Sequence, residues 1–403
     1  MKSARTVSVA EESPIASPAV RTHTEAVGRR EPRADGSPPV GSASQFSSEL
    51  NESDALMWSI ERDPCLRTTI VAVSLLDATP DWQRLRQRMI DVGGLVPRLR
   101  QKVVATPLRL GPPKWRLDEN FDIDYHLRRV VCPSPKDLRA VLDMAAPIAM
   151  AAFDKDRPLW EFTLVEGLEG GRAAFIQKVH HSFTDGVGGV KLAQLLLDDS
   201  PDPGVSPPAE PAQGTPAAGA FESAIESLAA DGRAAAMAFL HSARALPSLI
   251  AAATHPLRLL ESTVRGARSL VKLLAPVTEP LSPLMTGRGL SRRLDAFDVP
   301  LDAMLSAAHA AGCTLNDAFL ASVTDGLRRY HDRHGVSVNE LRVTMPINTR
   351  RPGDPLGNNR FVPVRLAIPL GDGAADERMR QLGGLARSWR EEPALPFSDV
   401  LAG

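Results

Sequence analysis

Apolar residues in this chain come in short runs whose spacing switches between a period of two and a period near 3.6. TTIVAVSLL (68–76), AAFIQKV (173–179), VNELRVTMPINTR (338–350) and FVPVRLAIPL (361–370) read as strands. SDALMWSIE (53–61) offers a Ser or Asp cap before a helical pattern. Residues 81–104, DWQRLRQRMIDVGGLVPRLRQKVV, predict an amphipathic helix broken at Gly93-Gly94, then a loop and a strand. Strands with an extended passage are expected over 114–131, and a helix over 136–150. VGGVKLAQLLLD (187–198) reads as a helix with Val190, Leu192, Leu195 and Leu196 near one face. Residues 296–335 suggest a strand, a helix ended by Gly312, and a second helix starting at Asn316 or Asp317. Strands alternating with helices in this way predict a mixed α/β architecture.

The same patterning divides the chain. Residues 1–46 mix Ser, Pro, Ala, Glu and Arg without periodicity, the composition of a disordered tail. A first α/β domain is expected over 47–199 and a Pro/Ala/Gly linker over 200–220, whose six prolines keep it stiff and out of any sheet. Residues 221–293 are rich in Ala, Leu and Arg and predict a basic helical stretch, with nine Arg or Lys against two Glu from Arg233 to Arg293. That stretch suits either a membrane-surface binder or an interdomain crossover with a solvated basic face. A second domain is expected over 294–403.

Composition removes several classes of function. The 403 residues suffice for two domains with substantial cores. The 47 basic and 48 acidic side chains nearly cancel, and only Tyr125 and Tyr330 represent tyrosine, so neither a polyanion nor stacked bases are an expected partner. Cys65, Cys132 and Cys313 are widely spaced without a CxxC, which fits neither a disulfide framework nor a zinc site and suits a reducing cytoplasm. No secretory signal is legible at the N-terminus. The longest apolar runs, such as 246–253, fall well short of the about 20 residues that span a bilayer. HDRH (331–334) has the look of a spaced ligand pair but is expected to be an exposed helix end, with no metal.

The run HHSFTDG (180–186) concentrates the chemistry. Imidazole titrates near neutrality, so a neutral ring takes a proton from an alcohol and hands it on. A strand precedes the pair and a helix pattern follows, placing both histidines at a strand end entering a turn. Side chains alternate across a strand, so only one of the two is expected to face a given cleft. Packing or metal ligation are the other uses of such a pair, but no Cys or Glu cluster lies nearby to complete a metal site.

HHxxxDG resembles the active-site motif of coenzyme-A-dependent acyltransferases, a superfamily that includes chloramphenicol acetyltransferases and peptide-synthetase condensation domains. RPLWEFTLVEGLEGGRAAFIQKVHHSFTDGVGG (157–189), NDAFLASVTDGLRRY (316–330) and MPINTRRPGDPLGNNRFVPVRLAIP (345–369) narrow the resemblance to the bacterial wax ester synthase/diacylglycerol acyltransferase family. The resemblance implies a two-domain, chloramphenicol-acetyltransferase-like α/β fold of mixed sheets and flanking helices, with a cleft between the domains. It implies direct O-acyl transfer from acyl-CoA, as co-substrate rather than cofactor, to diacylglycerol or a long-chain alcohol. His181 is then the general base, and Asp185 orients the turn through an arginine. Gly186 permits the tight turn, and Asn316 is a polar residue near the oxyanion, or else a helix N-cap. His180 is expected to matter less than His181. Pro158, Leu159 and Trp160 match a PLW motif that packs against the acyl tunnel or the core.

The rival expectations are another HHxxxDG enzyme, such as a condensation-type domain, and a non-catalytic lipid-surface protein. The implied location is the cytoplasm, peripherally on the inner membrane or on lipid droplets. About 110 residues follow residue 294, fewer than a second half equal to the first requires, so the second domain is expected to be incomplete at its C-terminus.

Overall fold

The computed structural model describes residues 47–106, 112–183, 189, 281–287, 289–348, 361–371 and 373–392. Within them lie α1 (Glu52–Ile60), β1 (Thr69–Leu76), α2 (Trp82–Leu95), β2 (Gln101–Val104), β3 (Lys114–Leu117) and the single turn α3 (Ile123–His126). Next come β4 (Leu127–Val131), α4 (Leu138–Met150), β5 (Trp160–Glu166) and β6 (Ala173–His180). Further along are α5 (Leu301–Ala310), α6 (Leu315–Arg333), β7 (Glu340–Asn348), β8 (Phe361–Pro369) and α7 (Ala375–Arg390). The expected tail, the linker, the helix after Gly186 (apart from Gly189) and the basic stretch up to residue 280 lie outside the described residues.

A four-stranded sheet in the order β1-β6-β5-β4 is the frame of the first half. Its β1–β6 and β6–β5 pairs are antiparallel, and β5–β4 is parallel. Both faces of this sheet are covered. On one side, Trp160, Phe162, Leu164 and Phe175 pack with Met89, Val92 and Leu99 from α2 and the turn after it. On the other, Val165, Ala174 and Ile176 pack against Ala140, Val141 and Ala145 of α4. Burial on both faces explains why β6 reads as a continuous apolar run rather than an alternation.

The later elements form a second hydrophobic cluster. β7 and β8 pair antiparallel, Leu341 opposite Ile368 and Ile347 opposite Val362. Val364, Leu366 and Ile368 pack with Ala321 of α6 and with Leu382 and Trp389 of α7. The segment before α5 is tied to the first half, since Arg139 on α4 donates to the Leu294 carbonyl and to Asp295 at 2.8 and 2.7 Å.

Several local expectations need correction. Asn51 caps α1, accepting the Asp54 N–H at 2.7 Å, whereas Asp54 itself is fully buried inside the helix. α2 runs through Gly93-Gly94 to Leu95, because its interior face is held by the core. Residues 296–300, expected as a strand, are irregular, and Phe297 and Val299 there are exposed. α6 begins at Leu315, with Thr314 as cap: its hydroxyl accepts the Asp317 N–H while Asp317 accepts the Thr314 N–H, a reciprocal capping box. His331 is not an exposed end. It is buried, its Nε2 2.8 Å from Ser282 Oγ and its Nδ1 2.8 Å from the Leu327 carbonyl oxygen.

Candidate active site

Two hairpin neighbours assemble the motif residues. In the β5–β6 register Trp160 stands opposite Val179, and the His180 N–H donates to the Leu159 carbonyl at 3.0 Å. The 19 residues between PLW and the histidines therefore belong to the two strands of one hairpin and its turn. Pro158, Leu159 and Trp160 are all buried. The Trp160 indole N–H donates to the Leu99 carbonyl at 2.9 Å and its ring stacks on His126 at 4.7 Å.

β6 ends at His180, and His181 opens a short 3-10 turn through Phe183. Backbone anchors hold this turn. The His181 N–H donates to the Thr68 carbonyl at 2.8 Å, just before β1. Phe183 is buried in the core beside Trp115, 6.4 Å between ring centroids in an edge-on contact. Arg98, wholly buried, lies over the Trp115 ring and reaches the Ser182 carbonyl at 3.4 Å and the Ser47 carbonyl at 3.3 Å. Burial pulls its guanidinium down to about 9, and the nearby Asp54 opposes that fall.

The two histidines have different surroundings. His180 has no exposed surface, while His181 is half-buried. The Ser182 backbone N–H donates to His180 Nδ1 at 3.1 Å, so that nitrogen carries the lone pair and the proton sits on Nε2. Nε2 in turn lies 3.1 Å from Thr68 Oγ1 and 3.5 Å from Glu61 Oε2. Burial, reinforced by the positive charge of Lys155 and by His181, pushes the His180 pKa down to about 3, so the ring is neutral at physiological pH. Glu61 closes α1 as its C-cap. Burial pushes its carboxyl above the ordinary value, against the pull of Lys155, Arg67 and Lys178.

This arrangement sets a pH dependence of stability. The unfolded His180 ring protonates near 6.5 and the folded one only near 3, so between those values the unfolded state binds more protons and stability falls as pH falls. The slope from one such group is at most roughly 1.4 kcal/mol per pH unit. Glu61 has the opposite sign, since its raised value costs stability as pH rises above 4.5. We expect the melting temperature to drop between pH 7 and pH 4.5, and to drop less steeply in His180→Gln. Equal slopes in the two proteins would mean that His180 is not the buried neutral ring described.

The structure brings His180, His181, Ser182, Thr68 and Glu61 together. Asn316 instead stands exposed in the first turn of α6, and Thr314 takes the capping role expected of it. Asp185 and Gly186 lie outside the described residues. Glu61, Thr68 and Arg98 are absent from any motif reading, because nothing local distinguishes them from surface polar residues. One residue before Thr68, Arg67 lines a cavity of about 220 Å³ with Met150, Leu290 and Arg292. Among the described residues no group of His, Cys, Asp or Glu is placed to hold a metal ion, and no helix is long and apolar enough to cross a membrane.

Residues 50–319 match the family model of the wax ester synthase/diacylglycerol acyltransferase catalytic domain. A protein of Mycobacterium tuberculosis (strain ATCC 25618 / H37Rv) named as a diacylglycerol O-acyltransferase is 38% identical over 364 residues, covering 90% of this chain and 74% of its own. Among solved structures, the wax ester synthase/diacylglycerol acyltransferase from Marinobacter aquaeolei VT8 superposes with a TM-score of 0.56 at 20% identity, over 88% of this chain and 75% of that one. The first condensation domain of the calcium-dependent antibiotic synthetase gives 0.55 at 16% identity, over 84% and 75%. At these identities the two structures speak to the fold, which is the α/β architecture of mixed sheets and flanking helices expected from the sequence.

Proposed function

The chain belongs to the wax ester synthase/diacylglycerol acyltransferase family, and from that premise we propose that it transfers the acyl group of acyl-CoA to the hydroxyl of diacylglycerol, of a long-chain alcohol, or of both. His181 is the general base. Its imidazole takes the hydroxyl proton as the alcohol oxygen attacks the thioester carbonyl. The tetrahedral adduct then collapses, the C–S bond breaks, and the proton passes from His181 to the departing thiolate. No acyl-enzyme forms in this scheme, and no cofactor takes part.

The observation that carries this assignment is the division of the histidine pair. His180 is sealed, neutral and engaged at both ring nitrogens, whereas His181 is half-buried at the start of a turn whose backbone is anchored. A base needs an accessible ring that can change charge, and a ring held near a pKa of 3 cannot serve at neutral pH. Asp185 orients the turn and Gly186 permits it. Pro158, Leu159 and Trp160 shape the wall next to the acyl chain from the core side. Such acceptors partition into lipid, so the protein works peripherally, on the cytoplasmic face of the inner membrane or on droplets, with its basic stretch toward anionic lipid.

One vesicle experiment tests substrate and location together. Radiolabelled palmitoyl-CoA is supplied with diolein or hexadecanol in anionic vesicles, and lipid products and vesicle flotation are both measured. The expected result is labelled triacylglycerol or wax ester, with flotation that weakens as salt screens the surface charge. Release of free CoA without either ester would overturn the proposed reaction. Equal flotation with neutral vesicles at every salt concentration would overturn the electrostatic part.

A further inference from the structure

We propose that Glu61 is a positioning residue for the reactive turn, acting through His180, an inference that rests on His181 being the base. The two residues lie 119 positions apart in sequence and meet because α1 packs on the 3-10 turn that begins at His181. The Glu61 side chain is 1% exposed, with Oε2 3.5 Å from His180 Nε2 and 3.9 Å from Lys155 Nζ.

The chain of contacts has a defined direction. The Ser182 N–H occupies His180 Nδ1, which leaves the Nε2–H to Thr68 Oγ1 at 3.1 Å, with Glu61 Oε2 close by at 3.5 Å but not hydrogen-bonded to it. A negative charge on Glu61 beside Nε2 favours a proton on that nitrogen, and hence the tautomer whose Nδ1 accepts the backbone N–H two residues on. The other tautomer would present an N–H to the Ser182 N–H, and the turn would lose its internal clasp. Ser182 Oγ, 2.7 Å from the same Nδ1, tightens it. His181 sits between the two clasped residues, so the direction of its ring depends on a carboxylate that never approaches the substrate.

A buried carboxylate is costly without compensation, and the compensation here is local. Lys155 makes the closest ion pair, while Lys178 and Arg67 contribute at longer range. Lys178 is itself fully buried, 3.4 Å from Glu161 and 4.1 Å above the Phe153 ring, whose edge also meets His180. Helix α1 and the strand end are thereby joined by charge as well as by packing. A residue that only stabilised the fold could be apolar here.

The test uses the full chain with Glu61→Ala, Glu61→Leu and Glu61→Gln. Steady-state turnover on palmitoyl-CoA is read alongside histidine side-chain nitrogen NMR. Displacing a catalytic group by about 1 Å costs up to roughly 100-fold, so kcat is expected to fall about 10- to 100-fold in Glu61→Ala, with KM for acyl-CoA within about threefold. The His180 signals should change from a single Nε2–H tautomer to a mixture. Glu61→Gln keeps an acceptor oxygen and should recover kcat to within about threefold of the native chain. Glu61→Leu fills the same volume and carries the same reading if the alanine variant loses its melting transition.

Wild-type kcat and an unchanged His180 tautomer in Glu61→Leu would overturn the proposal. So would a Glu61→Gln variant as impaired as Glu61→Ala. If the native chain itself transfers no acyl group, the proposed reaction fails, while the tautomer measurement still decides whether Glu61 controls His180.

Discussion

Replacing His181 by alanine is expected to lower acyl transfer by two to four orders of magnitude while leaving the protein folded, the usual cost of removing a general base. The asymmetry of the pair makes this a sharp expectation. His181 is half-buried, and its backbone N–H to Thr68 survives any side-chain change, so the variant keeps the turn. His180→Ala differs in kind. It opens a void in a fully buried site and strands Thr68 Oγ1 and the Ser182 N–H, so stability as well as turnover should fall. Turnover measured on both variants, with melting curves beside it, separates the two roles. More than a tenth of native activity in His181→Ala would remove it as the base.

Trp160→Ala is expected to cost about 3–5 kcal/mol of stability, the range for truncating a buried tryptophan. Three contacts set that size. The indole N–H satisfies the Leu99 carbonyl, the ring stacks on His126 at 4.7 Å, and it meets Phe162 at the same centroid distance. For a domain of this size the loss corresponds to a fall in melting temperature on the order of 10 °C. Trp160→Phe keeps an aromatic ring but leaves the Leu99 carbonyl without its donor, a penalty of about 1–3 kcal/mol. Because Leu159 next door accepts the His180 N–H, the alanine variant should also lose turnover. A melting point within two degrees of native would show that Trp160 faces a space able to collapse, rather than a packed core.

Elements whose periodicity comes from burial by neighbouring layers were legible as strings. β1, β6, β7 and β8 follow their apolar runs closely, and α4 and α5 follow their helical spacing. The strand-to-turn setting of His180 and His181 was legible too, because a strand pattern stops where the polar motif starts. Elements decided by single contacts were not. α7 carries Gly383-Gly384 in its interior, and a Cβ at Gly383 would lie 2.9 Å from the Asp317 carboxyl group. That glycine is there to let two helices approach, which no local pattern encodes. His331 was expected at an exposed helix end because its partner, Ser282, is 49 positions away.

The sequence by itself determined the α/β class and, through its motifs, the family. These depend on periodicity and residue type, which are local properties. Only the tertiary structure decided which histidine is fully buried and which is half-buried, and it alone brought Glu61, Thr68 and Arg98 to the turn. A charge becomes a buried functional group only when the fold removes its water and supplies partners from distant positions. The altered proton affinities of Glu61, Lys178 and Arg98 come from their place in the fold.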